Sequence, residues 1–254
     1  VSFAAEEKLS LARLLLEDLC VDRIEVASAL VSEGEFSTVK KIARWADSKG
    51  LLNKVEVLGF VDGDKSIDWI KSAGIRVMNL LCKGSLKHCA MQLGKKPEEH
   101  IADIKNTLRY AEEADIAVNV YLEDWSNGMK NSPEYVYALI DALSDTKIRR
   151  FMLPDTLGIL NPAETAKYCT QMLTRYPNLE FDFHAHNDYD LAVANVFAAV
   201  QAGINCVHVT VNGLGERAGN APLSSVLAVL HDQLGLSTNI KEQEINSVSK
   251  IVET

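Results

Sequence analysis

Phe181-Asp182-Phe183-His184-Ala185-His186-Asn187-Asp188 alternates apolar Phe181, Phe183 and Ala185 with polar Asp182, His184 and His186. A period of two marks a strand, so both histidines point to one face, about 7 Å apart along the backbone. Two imidazoles on one side of a strand end can hold a divalent metal if oxygen ligands converge from neighbouring strands. A hydrogen-bonded pair of core histidines is the other role open to them. The next strand, Ile204 to Val211, runs into Asn212-Gly213-Leu214-Gly215-Glu216-Arg217-Ala218-Gly219-Asn220. Glycines at a strand end let backbone approach a ligand closely. The spacing G-x-G-x-x-x-G, with no acidic residue at the ribose distance, is not a dinucleotide fingerprint. Asn220 is a candidate oxygen ligand or supporting donor, and Glu216 with Arg217 a candidate ion pair. The two stretches together favour the metal site.

Outward from this centre, helical and strand patterns alternate along the whole chain. Ala5–Leu19 has an amphipathic face of Leu9, Ala12, Leu15, Leu16 and Leu19. Strands are expected at Arg23–Ser28, Val55–Val61, Val77–Cys82, Ala117–Asp124, Arg149–Asp155, Glu180–His186 and Ile204–Val211. Helices are expected at Glu35–Ser48, Lys65–Ala73 and Pro97–Ala114, then after Asn131-Ser132-Pro133 and Asn161-Pro162, near Asp188 and near Ser224. From Thr238 on the pattern is polar and undetermined. Repeated β/α units of this length build a parallel sheet. A (β/α)₈ TIM barrel needs about 250 residues and eight strands. Seven strands behind an orphan helix predict a single barrel domain over residues 1–254, with its first strand before Val1. A doubly wound sheet is the alternative.

On Ala117–Asp124, Asn119, Tyr121 and Glu123 share one face. Glu25, Leu58, Asn79, Leu81, Asp155, Thr156, His184, His186 and Asn212 fall at or near strand C-terminal ends, where barrel enzymes place their active sites. So many polar groups there are costly without a ligand. The 254 residues, 47% hydrophobic, can bury a sizeable core. A net charge of −9, from 26 basic and 35 acidic residues, argues against nucleic acid and anionic membrane as partners. No apolar run reaches the roughly 18 residues of a membrane span. The N-terminus lacks a secretory pattern, and five scattered cysteines without C-x-x-C fit a reducing cytoplasm.

Phe183-His184-Ala185-His186-Asn187-Asp188 and Asn212 to Asn220 resemble the signature segments of the 2-isopropylmalate, homocitrate and citramalate synthases, which are also similar to hydroxymethylglutaryl-CoA lyase. Leu153-Pro154-Asp155-Thr156-Leu157-Gly158 and Arg23-Ile24-Glu25-Val26 fit the same family, so the likeness covers nearly the whole chain. Leu58 to Gly63, Leu80 to Ser85 and Tyr121 to Gly128 look closest to the (R)-citramalate synthases. The family's Arg-Asp-Gly/Glu segment on the first strand, and its accessory and regulatory domains, have no counterpart here.

The resemblance implies a cytoplasmic homodimer that condenses acetyl-CoA with a 2-keto acid in branched-chain amino-acid biosynthesis. It implies a divalent metal (Zn, Mg or Mn) at His184, His186 and Asn220, acting as a Lewis acid on the keto acid. Glu123 is the candidate base at the acetyl group, or the residue that orients the family's arginine; a structural carboxylate paired with an arginine is its other role. Thr156 is a candidate donor to the keto acid carboxylate, or a strand-end cap. Asp155 is expected behind the ligands, and His208 to be a satisfied core residue. Lys83, Lys87, Lys95 and Lys96 could attract CoA phosphates or form a solvated face. Leu58, Leu81 and Tyr121 share the inward parity and form an apolar pocket suited to pyruvate, with 2-ketoisovalerate as the alternative acceptor. A lyase of the same superfamily, an H-x-H hydrolase barrel and a non-catalytic metal binder remain as other readings. The hydrolase is disfavoured because its histidine pair belongs on the first strand.

Overall fold

A computed structural model describes residues 3–253. Among them the strands are β1 (Ile24–Ser28), β2 (Val55–Phe60), β3 (Val77–Lys83), β4 (Ala117–Glu123), β5 (Ile148–Asp155), β6 (Phe181–Ala185) and β7 (Cys206–His208). The helices are α1 (Ala5–Arg13), α2 (Glu33–Ser48), α3 (Lys65–Ser72), α4 (Leu86–Gln92), α5 (Pro97–Glu113), α6 (Trp125–Asn131), α7 (Pro133–Leu143), α8 (Pro162–Arg175), α9 (Ala192–Gln201), α10 (Leu223–Leu234) and α11 (Ile245–Glu253). The strand order is the chain order, and the described pairs run parallel. A doubly wound sheet reverses strand order at a switch point. No reversal occurs here, so the fold is an α/β barrel of the TIM type with one strand fewer than eight. No helix among the described residues is long and apolar enough to cross a membrane.

The chain divides into two compact units, one of residues 1–81, 102–119 and 238–254, the other of 82–101 and 120–237. In the first, α2 starts at Glu33 because the Ser32 hydroxyl accepts from the Glu35 amide, and it buries Val39, Ile42, Ala43 and Ala46 at helical spacing. The expected Ala5–Leu19 helix changes character at Leu14, where one π-helical turn, Leu14–Asp18, completes it. The undetermined tail contains α11, which buries Val248 and is preceded by a hydrogen bond from the Lys241 amide to the Leu19 carbonyl.

This unit corrects one inference from strand position. Glu25, Asn79 and Asn119 do not wait at a rim for a ligand. The Asn79 amide donates to Glu25 at 2.7 Å and to Glu56 at 3.0 Å, and Asn119 donates to the Asn79 carbonyl at 2.8 Å. Arg23 stands 3.6 Å from Glu56. These groups hydrogen-bond among themselves, while Asn119 Oδ1 stays buried with no partner among the described residues. Leu58 lies beside Asn79 and Leu81 beside Phe60 in the β2–β3 ladder, so both leucines are on one face and half-buried.

In the second unit, α8 opens at Asn161-Pro162 as expected, and a capping box between Asn161 and Glu164 secures the start. On β6, Phe181, Phe183 and Ala185 are buried on one face, and Phe183 meets Trp125 edge-on at 6.5 Å between ring centres. Two short helices, α4 and α6, have no counterpart in the sequence expectation. Helix α9 begins at Ala192 after Leu191, and the Ala192 amide donates to the Asn187 side-chain oxygen at 3.0 Å, close to the expected start near Asp188. β7 is much shorter than Ile204–Val211. After His208 the chain pairs with its own return: the Thr210 amide donates to the Ala221 carbonyl and the Leu223 amide to the Thr210 carbonyl.

Candidate active site

All the geometry below lies within the second unit. β6 sets His184 and His186 on one face, and their Nε2 atoms come within 3.2 Å of each other. Metal–nitrogen bonds near 2.0–2.1 Å, opened by 90–109°, separate two ligating nitrogens by about 2.8–3.4 Å. The 3.2 Å spacing suits two ligands of one ion and equally the hydrogen-bonded histidine pair that is their other role. Burial, and then the neighbouring His208 and His186, hold His184 well below the usual histidine range. Burial, and then the Arg217 charge, lower His186 as well. Both rings are thus neutral near pH 7, the form that coordinates metals. The Nδ1 atoms of both rings are buried with no partner among the described residues.

Asn220 forms an isolated antiparallel bridge with His186, and its Oδ1 is buried with no donor among the described residues. An orphaned buried carbonyl oxygen on a residue bridged to His186 is costly unless a cation or water takes it. The loop carrying it folds tightly. Gly219 has φ +92°, and a Cβ there would stand 2.2 Å from the Gly213 carbonyl oxygen, so only glycine fits. The expected Glu216–Arg217 contact exists at 3.4 Å, but the main partner of Arg217 is Asp188, at 2.7 and 2.8 Å.

Glu123 ends β4, and its partner is Lys83 at the end of β3, through a very short ion pair. Among the described residues, the cation beside Glu123 is therefore a lysine. Lys83 shares the parity of Asn79 and Leu81 on β3, a signal in the sequence that could have found it. Tyr121, two residues before Glu123, is joined to His208 Nδ1 at 2.8 Å, and His208 Nε2 lies 3.3 Å from Asp182. His208 is thus satisfied at both nitrogens. Asp182, Cys206 and His208 hold donor atoms within 4.8 Å of one another. Asp182 also has the Arg150 guanidinium at 4.0 Å, so this trio already has a cation beside it.

Thr156 Oγ1 accepts from the Asp124 amide at 2.8 Å, a strand-end contact that leaves its O–H free to donate elsewhere. Asp124 is fully buried with φ +66°, and its carboxylate accepts from Ser85 at 2.7 Å and Asn127 at 2.8 Å. A strained backbone beside Glu123 marks a place the surroundings over-determine. Asp155 accepts from the Ile159 and Leu160 amides, both at 3.0 Å, which fixes the turn carrying Thr156.

A family profile described as HMGL-like matches residues 1–252. A Methanopyrus kandleri protein provisionally named (R)-citramalate synthase is 33% identical over 254 residues, covering 100% of this chain and 48% of that protein. A Sulfurisphaera tokodaii 2-isopropylmalate synthase is 32% identical over 253 residues, covering 99% of this chain and 63% of that protein. The chain thus spans about half to two-thirds of the length of these relatives. Among solved structures, a Bacillus subtilis HMG-CoA lyase has a TM-score of 0.78 at 24% identity, covering 100% of this chain and 87% of that one, a likeness of fold. The family profile spans residues 1–252, and the chain belongs to the HMGL-like family.

Proposed function

We propose that the protein carrying this chain is a cytoplasmic, homodimeric enzyme that condenses acetyl-CoA with a 2-keto acid, pyruvate in preference, and hydrolyses the resulting thioester. The observation that carries this reading is the pair of imidazole nitrogens 3.2 Å apart, with Asn220, bridged to His186, carrying an orphaned buried oxygen. The names of the relatives support the reaction class. His184, His186 and Asn220 would hold one divalent ion (Zn, Mg or Mn). When bound, the ion supplies Lewis acidity at the ketone of the acceptor.

The chain's own residues do the rest. Glu123, held by Lys83 at adjoining strand ends, takes a proton from the acetyl methyl group. The carbanion electrons form the new carbon–carbon bond at the ketone carbon, and the ketone oxygen gains a proton. Water then cleaves the thioester and CoA leaves as the thiol. Thr156 donates its free O–H to the keto acid carboxylate. Tyr121, in the same unit as the histidines, is assigned to the acceptor side chain, and Leu58 and Leu81 are assigned to it by sequence parity alone. None of them can neutralise a distal carboxylate, which disfavours 2-ketoglutarate. Their bulk discriminates against 2-ketoisovalerate by about 10–200-fold, the worth of methylene-sized differences.

The test uses the full-length protein with added divalent metal, following CoA release with pyruvate, 2-ketoisovalerate and 2-ketoglutarate. H184A and H186A should each abolish metal binding seen by calorimetry. A preference for 2-ketoisovalerate would make the enzyme a 2-isopropylmalate synthase. Absence of CoA release with all three acids would overturn the condensation.

A further inference from the structure

Arg217 sits at φ +55°, a left-handed backbone that a non-glycine residue adopts only at a cost. Its side chain shows what offsets that cost. Nε and Nη2 form a fork on the Asp188 carboxylate at 2.7 and 2.8 Å, and Nη2 also donates to the Thr156 carbonyl at 2.8 Å. One guanidinium therefore joins the loops after β5, β6 and β7. The remaining nitrogen, Nη1, faces Glu216 at 3.4 Å, so the group is committed to the protein rather than waiting for an anion. Gly158 makes room for this junction: its φ is +58°, and a Cβ there would stand 2.8 Å from the Asp188 amide and Oδ2. Two backbone bonds carry the arrangement from Arg217 to the histidines. The Asn187 amide donates to the Gly219 carbonyl at 2.9 Å, and the Asn220 amide donates to the Gly213 carbonyl at 3.0 Å.

We propose that Arg217 is a positioning residue that locks the glycine loop and so holds the Asn220 carboxamide oxygen against His184 and His186. The proposal rests on the metal-site reading above. An arginine that was merely a surface charge would act in the opposite direction. Its positive charge near His186 opposes a cation, so removing it would tighten metal binding. Lysine separates the two effects, because it keeps the charge and loses the planar fork.

The experiment compares R217K with wild type in the full-length protein, with R109K, which removes the fork of the exposed Arg109–Glu113 pair on α5, as control. Calorimetry with Zn²⁺ or Mn²⁺ should show affinity lowered about 10–100-fold in R217K, the usual loss when a group supporting metal ligands is removed. Hydrogen exchange of the metal-free proteins, read on peptides spanning 187 and 213–221, should be faster in R217K and unchanged in R109K. Wild-type affinity in R217K, or wild-type exchange over those peptides, overturns the proposal. If wild-type protein binds no metal, the metal-site reading falls instead. Exchange then still decides whether Arg217 locks the loop.

Discussion

Replacing Lys83 by methionine keeps most of the side-chain volume and removes the ammonium that faces Glu123. Side-chain exposures of 16% for Lys83 and 22% for Glu123 place the pair nearer the buried limit than the surface one. Exposed pairs are worth about 0.2–1 kcal/mol, whereas stranding one partner of a buried pair costs about 3–5 kcal/mol. With about a fifth of each side chain still wet, K83M should cost roughly 2–3 kcal/mol at neutral pH. For a chain of this size, each kcal/mol moves the melting temperature by about 2–4 °C, so the expected fall is about 5–10 °C. K83M/E123L strands no charge, so it should lie within about 1 kcal/mol of wild type; with E123L costing about as much as K83M, the coupling between the sites is about 3–6 kcal/mol. Urea titration and calorimetric melting of the full-length protein and the three variants measure these quantities. Single variants each costing under about 0.5 kcal/mol, or a double variant equal to the sum of the singles, would refute the reasoning. The pair would then be ordinary surface charge.

Glu123→Gln keeps the shape of the side chain and removes its basicity. Turnover should fall about 10²–10⁴-fold with little change in KM for the keto acid, measured by CoA release; near-normal turnover would make Glu123 structural. Gly219→Ala puts a side chain where φ is +92° and the Gly213 oxygen lies 2.2 Å away. It should cost about 1–3 kcal/mol and weaken metal binding, and wild-type melting and affinity would argue that the loop is slack. Burial raises the thiols of Cys82, Cys89 and Cys169, the last to about 12, and raises the phenols of Tyr135 and Tyr176, the latter to about 12. Between the ordinary thiol value of about 9 and pH 12, the folded chain therefore holds more protons than the unfolded one. Stability is intact below that window and is lost as pH rises through it, so the urea midpoint should fall steadily from pH 9 to 11. A flat midpoint would show these groups to be wet.

The sequence by itself determined the β/α alternation, the parity that sets His184 beside His186, the helix opening at Asn161-Pro162 and the family likeness. Each rests on a local period or on a motif written in consecutive residues. What faces what was decided only by the tertiary structure. Glu123 meets Lys83 across 40 residues, and Arg217 meets Asp188 across 29. Asn79, placed near a strand end by the sequence, instead donates to Glu25 and Glu56 and accepts from Asn119. β7 stops at His208 since the returning glycine loop, rather than another strand, takes the next hydrogen bonds. Strand propensity says that a residue wants a partner of a given kind. Which partner it gets depends on how distant segments are folded against one another, and no local pattern encodes that distance.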